Sequence, residues 1–195
     1  MNRLADYLHV LARYYDSILA SDIVEKPVSV QAENKKGEKP MDTSEDLIQK
    51  VLLRIGQGKI TLTQAKKLID RVEQESERRG KKSVIAVCSP DGNPIAVHVM
   101  DGAFLVSFDV AVRKAYTSVA VKMSTMELSR LTQPGQTFYG LESLEGGKMV
   151  IFGGGVPLMY QGMMIGGLGV SGGTGEEDNS LAEYALSILP EILAE

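Results

Sequence analysis

The sequence predicts an α+β domain, an antiparallel sheet with helices packed on it, and three observations carry the prediction. From residue 60 onward the order of elements is helix, two strands, helices, three strands, helix. The strand pairs are joined by tight turn chemistry, Pro90-Asp91-Gly92-Asn93-Pro94 and Gln161-Gly162, which demands antiparallel pairing. Each helical segment carries a single apolar stripe that must be buried against another element. The 195 residues fit one domain, or one domain with an appendage, and a 44% hydrophobic content supplies a real core.

Asn2 to Ala20 reads as an amphipathic helix, with Leu4, Leu8, Leu11, Tyr15 and Ile18 on one face. Glu25 to Glu45 is polar and charged, broken by Pro27, Gly37 and Pro40, and reads as a linker. Asp46 to Ile55 returns to a helical pattern that Gly56-Gln57-Gly58 ends. The domain boundaries that follow are 1–23 for the first helix, 24–45 for the linker and 46–195 for the main domain.

Ile60 to Gly80 reads as a helix. Thr61 and Gln64 form a capping-box pattern ahead of the stripe Ala65, Leu68, Ile69 and Val72, and Glu73 to Arg79 reads as a solvated face. Val84 to Cys88 is a continuous apolar run and reads as a buried strand. Ile95 to Met100 alternates, with Ile95, Val97 and Val99 on one face and Ala96, His98 and Met100 on the other. Phe104 to Lys122 reads as a helix with the stripe Phe108, Val112, Ala115 and Val119; Ser124 to Leu131 is a shorter one. Leu141 to Lys148 is a loop or a ragged strand. Met149 to Phe152 starts a glycine-rich β-ribbon, so three strands follow the helices. Thr174 and Glu177 form a second capping-box pattern ahead of a helix over residues 176–189, with Leu181, Tyr184, Ala185 and Ile188 inward.

The ribbon, Phe152 to Gly173, reads FGGGVPLMYQGMMIGGLGVSGG. Glycine in a strand offers nothing to pack, so a crowd of them implies that something approaches the backbone closely. A planar ligand, a partner subunit and a crossing helix all meet that description. Gly153, Gly154 and Gly155 are not a nucleotide phosphate loop, because no Lys-Ser/Thr follows and the chain continues as a strand. Their amides remain candidates for binding an anion, as does Gly172 ahead of the last helix, although Glu176, Glu177 and Asp178 crowd that pole.

A net charge of −4, from 21 basic and 25 acidic residues, argues against a nucleic-acid protein. No apolar run of roughly 18 residues suggests a membrane span. No signal-peptide pattern opens the chain, and a lone cysteine, Cys88, fits a reducing cytoplasm and a core position. No nucleophile–base pair or zinc-type spacing stands out.

Several of these segments resemble a known family. TLTQAKKLI, DGNPIAVHVMDGA, KAYTSV and the glycine ribbon followed by EED resemble the GlcG/HbpS-type haem-binding family. QPGQTFYGL with FGGGVPL is similar to the C-terminal domain of PduO-type corrinoid adenosyltransferases. The resemblance implies a profilin-like fold with a five-stranded antiparallel sheet, homo-oligomers, and haem as the ligand, with cobalamin as a second candidate. MNRLADYLHVLARY resembles the closing helix of PduO-type adenosyltransferases, with Ala5 and His9 where that family usually has Ser and Phe. The family's ATP-binding loop is not among these residues, so the chain alone is expected not to be an adenosyltransferase. The resemblance also suggests an adenosyltransferase partner, or docking to the shell of a propanediol-utilisation microcompartment.

His98, by its chemistry and its place mid-strand, is the candidate axial ligand for haem iron and Met100, on the same strand face, a second, although the family it resembles does not hold a histidine at this position. A structural strand histidine is the bland alternative. Asp101 and Lys114 match positions the family keeps. Asp101 otherwise caps the following helix. Lys114 either pairs with a ligand carboxylate or is a solvated helical lysine.

Overall fold

A computed structural model describes residues 58–194. The expected helices at residues 2–20 and 46–55, the linker and the boundaries drawn through them lie outside the described residues. Within them the elements are α1 (Leu62–Arg78), β1 (Val84–Cys88), β2 (Pro94–Val99), α2 (Ser107–Val121), α3 (Thr125–Leu131), a 3-10 segment (Leu141–Gly146), β3 (Gly155–Tyr160), β4 (Met163–Ser171) and α4 (Gly175–Ala194).

Local chemistry sets the ends of these elements. At α1, Gln64 N donates to Thr61 Oγ1 (3.2 Å) and Thr61 N to Gln64 Oε1 (3.0 Å), the reciprocal cap the sequence predicts. At α4, Glu177 N donates to Thr174 Oγ1 (3.3 Å) and Thr174 N to Glu177 Oε2 (3.0 Å). Ser124 caps α3. The β3–β4 turn puts Gln161 and Gly162 at φ +49° and +77°, the paired left-handed geometry of a two-residue hairpin.

The sheet is fully antiparallel in the order β2-β1-β4-β3. Alternation splits its side chains between two layers. Ile85, Val87, Val156, Leu158, Leu168 and Val170 meet α1 and α4 in the larger core. Val84, Ala86 and Cys88 meet Ala111, Ala115 and Val119 of α2 in the smaller one. Cys88 is buried there, as the sequence suggests.

The sheet has four strands, not five. Residues 149–152 never join the ladder, because Val150 N donates to Thr117 Oγ1 (3.0 Å) on α2, and Gly154, at φ +117°, turns the chain into β3. Of the loop and the ragged strand expected over Leu141–Lys148, the strand does not form: Leu141–Gly146 is 3-10 turns with a kink at Leu144 and Glu145, held to α2 by Tyr116 Oη donating to Glu145 Oε2 (2.8 Å) and by Arg113 Nη1 donating to Gly147 O (2.9 Å). Helix α2 begins at Ser107, three residues later than expected, and no side chain caps it. Asp101 therefore has no capping role. The buried stripe of α2 also differs from the predicted one. Phe108 is exposed, and Ala111, Lys114, Ala115 and Ser118 turn inward. Helix α4 runs on through Pro190, where the sequence suggested a stop. The amide that proline lacks would have bonded the carbonyl of Leu186, an exposed residue, where water can serve instead.

Candidate functional site

The glycines of the ribbon are covered by the protein itself. Gly155 and Gly169 are paired across β3 and β4, and Pro157 with Gly167. A Cβ on Gly167 or Gly169 would run into the backbone of Ala115 or Ala111 in α2, and one on Gly155 into that of Lys114. The crossing helix is therefore what comes close, and this part of the ribbon offers no bare main chain to a planar ligand. Gly153 is packed against Gly175, Met126 and Asn179, and Gly154 against Val170, Asp178 and Lys114. Gly172 lies against Lys82 and Ser83. The amides of Gly172 and Gly173 both donate to Asp178 Oδ1, at 3.0 and 2.8 Å, so the chain's own carboxylate holds the place an anion would take.

Lys114 corrects the expectation of a solvated lysine. It is fully buried, and its ammonium donates to Asp178 Oδ2 (2.7 Å) and Val170 O (2.9 Å), with the Phe152 ring centroid 4.8 Å away. Burial pushes its pKa down, and the Asp178 charge opposes that. Its partners are internal, and together they fasten α2, β4 and α4.

His98 and Met100 follow the predicted strand face, which turns towards α1. Met100 packs against the larger core, and its Sδ accepts from Ser83 N (3.3 Å). His98 stays part-exposed, with Nδ1 3.3 Å from Glu73 Oε1 and 3.8 Å from Asp70 Oδ1. The ligand atoms of Asp70, Glu73 and His98 all lie within 4.8 Å of one another, and the two carboxylates, with Met100 and Asp101, border a surface cleft of about 440 Å³ that also takes in Gln74, Glu77 and Lys82. The carboxylates are features the sequence reading missed. Their i, i+3 spacing on the polar face of α1 was visible, but nothing in the sequence points to the histidine that meets them from a strand 25 residues on.

A second surface feature was also missed. Phe104 (68% exposed), Leu105 (97%), Val106 (64%) and Phe108 (52%) stand on the turn into α2 and its first residues. Four consecutive or near-consecutive large apolar side chains in water form a shoulder at the start of α2. The periodicity of Phe108 and Val112 predicts an inward face, yet Phe108 stands in water. The inward face that meets the ribbon glycines is instead carried by Ala111, Lys114, Ala115 and Ser118.

Comparison with known proteins places this fold. The family described as "Haem degrading protein HbpS-like" matches residues 60–187. An uncharacterised 15.0 kDa protein from the dhaT-dhaS intergenic region of Citrobacter freundii is 41% identical over 133 residues, covering 68% of this chain and 94% of that protein. The corrinoid adenosyltransferase PduO of Salmonella typhimurium is 36% identical over 196 residues, covering 97% of this chain and 53% of PduO, so the chain spans about half the length of that relative. Among solved structures, a PduOC–haem complex superimposes with a TM-score of 0.64 at 37% identity, over 66% of this chain and 94% of that one. A four-stranded antiparallel sheet flanked by helices, matched over these lengths at these identities, establishes that this chain belongs to the HbpS-like family.

Proposed function

We propose that the domain binds haem within corrinoid metabolism, as an accessory to adenosyltransferase chemistry rather than its catalyst. The observation that carries the reading is the 37% identity to a haem-bound PduOC across 94% of that chain. The relationship to PduO supports the corrinoid setting and keeps cobalamin as the second ligand to test. The geometry agrees in one respect and redirects in another. A haem needs a broad apolar surface; the glycine ribbon does not offer one under α2, whereas the Phe104–Phe108 shoulder does. Met100 is a poor axial donor, since its sulfur already accepts an amide, while the imidazole of His98 remains part-exposed. Haem, when bound, supplies an iron centre whose behaviour its axial ligand sets. The chain's residues supply the apolar seat and shield the ring from water.

The test is a titration with haemin, and separately with cobalamin, followed by absorption. Haemin should give a saturable Soret shift that Leu105→Asp and Phe108→Asp both weaken at least about tenfold while the fold is retained. His98→Ala in the same titration reports whether that imidazole reaches the iron. A wild-type protein that gives no shift would falsify the haem reading.

The shoulder also supports self-association, since isolated soluble domains rarely expose contiguous apolar surface of this kind. Sedimentation of wild type against Leu105→Asp tests whether a second copy covers it. The match to PduO extends over 97% of this chain, which supports a role for residues 1–23 in meeting an adenosyltransferase or a microcompartment shell in the cytoplasm. Deleting residues 1–40 and finding unchanged co-sedimentation with shells would dispose of the shell version. Among the described residues no helix is long and apolar enough to cross a membrane. Adenosylcobalamin formed from ATP and reduced cobalamin by the purified chain would overturn the non-catalytic reading.

A further inference from the structure

We propose that Asp70, Glu73 and His98 form a binding site for a divalent first-row transition-metal ion, separate from the apolar shoulder assigned to haem. The donor atoms already converge. His98 Nδ1 lies 3.3 Å from Glu73 Oε1 and 3.8 Å from Asp70 Oδ1, and all three ligand atoms lie within 4.8 Å of one another. Metal–donor bonds of about 2.0–2.2 Å put neighbouring ligands about 3–4 Å apart, so small side-chain rotations suffice to close the set.

The donors come from rigid parts of two elements. Asp70 and Glu73 are one turn apart on α1, whose opposite face is anchored by Leu68, Ile69 and Val72. His98 sits mid-strand, paired with Ile85. A site on a helix and a strand holds its geometry better than one on loops.

Charge favours a cation. Two carboxylates face one imidazole, so even a protonated ring would offset only one of them. Glu77 and Asp101 add negative charge to the same cleft, and the one lysine lining it, Lys82, is turned towards Glu77 at 3.5 Å. The donor mix selects the ion class. Carboxylates alone suit calcium or magnesium, whereas an imidazole with carboxylates suits zinc, iron, cobalt or nickel. Three protein ligands leave a coordination position open, and the two carboxylates that would hold the ion line the cleft of about 440 Å³.

The experiment uses the tag-free full chain stripped of metal. Co²⁺ is titrated and followed by visible absorption, and Zn²⁺ by calorimetry. One equivalent should bind. His98→Ala, Glu73→Gln and Asp70→Asn should each weaken it at least about tenfold. His9→Ala, which removes the chain's only other histidine, should change nothing. If His98→Ala fails to fold, the two carboxylate variants decide the matter, since both positions lie on the polar side of α1. Absence of saturable binding, binding unchanged in the three variants, or equal competition by Ca²⁺ and Mg²⁺ overturns the site. Haemin is titrated against the same proteins. A wild type that takes Co²⁺ but not haemin overturns the haem reading alone, whereas loss of the Soret shift in His98→Ala with Co²⁺ binding intact overturns the metal site.

Discussion

Lys114 and Asp178 form an ion pair, Nζ to Oδ2 2.7 Å, in which neither side chain has more than 2% of its surface in water. The pair links the middle of α2 to the first turn of α4. The second oxygen of Asp178 accepts the amides of Gly172 and Gly173, and Lys114 also reaches the carbonyl of Val170. One charged pair thus holds two helices on opposite sides of the sheet to the end of β4.

Breaking this pair should be costly and asymmetric. Asp178→Ala leaves a buried ammonium and two amides without their acceptor, and is expected to cost about 3–5 kcal/mol. Lys114→Met leaves Asp178 still holding both amides and should cost less. Urea midpoints of the two variants check this. Single variants that each cost less than about 1 kcal/mol would show that the pair does not fasten the helices.

The close approach of α2 to the ribbon predicts the effect of a single methyl. Gly169→Ala places a Cβ against the Ala111 carbonyl and the Ala115 amide, which are backbone and cannot swing aside. A loss of about 1–3 kcal/mol is expected, or more if α2 lifts from the sheet. Thermal unfolding measures it. A neutral Gly169→Ala would mean that helix and ribbon are not in contact.

Glu75 gives the domain a defined acid sensitivity. Its carboxylate accepts from Arg78 Nε and Nη2 and from Arg79 Nε, all at 2.7 Å, and these hydrogen bonds hold its pKa down to about 2 against an ordinary 4.5. A carboxylate with a depressed folded-state pKa stabilises the fold fully above the unfolded value and loses that contribution as pH falls through the folded one. The difference in melting temperature between wild type and Glu75→Gln should therefore be constant above about pH 5 and shrink between about pH 4.5 and 2. A difference that does not change with pH over that window would remove the carboxylate's charge from the account.

Cys88 should be chemically silent in the native protein. It is buried in the smaller core, and burial pushes its thiol up to about 11. A thiol reagent at pH 8 should react at the rate of local opening, and promptly after denaturation. Rapid native-state labelling would show that the α2 layer opens readily.

Local signals in the sequence decided more of this fold than of its surface. Thr61 with Gln64 and Thr174 with Glu177 announced two helix starts, because a capping box is satisfied within four residues. Val84–Cys88 announced a buried strand by its unbroken apolar run, and Gln161-Gly162 a hairpin turn by the conformations glycine permits. The motifs spread from Thr61 to Asp178 carried the family.

The failures share one cause, which is that the deciding partner lies far away in the chain. Met149–Phe152 has strand-like residues, yet Thr117 takes the amide of Val150. Lys114 is an ordinary helical lysine until Asp178 arrives 64 residues later to pair with it in the dry interior. The glycines of β3 and β4 were read as room for something close, and only the packing of α2 showed what fills it. His98 was legible as a strand histidine, while its two carboxylate neighbours belong to a helix that the turn over residues 79–83 folds back onto it. The sequence by itself determined most of the elements, two of the helix caps and the kinship, since hydrogen bonds and periodicity act over a few residues. Tertiary structure alone decided which charges are buried, which glycines are covered and which apolar side chains face water, because each depends on a surface brought in from elsewhere in the chain.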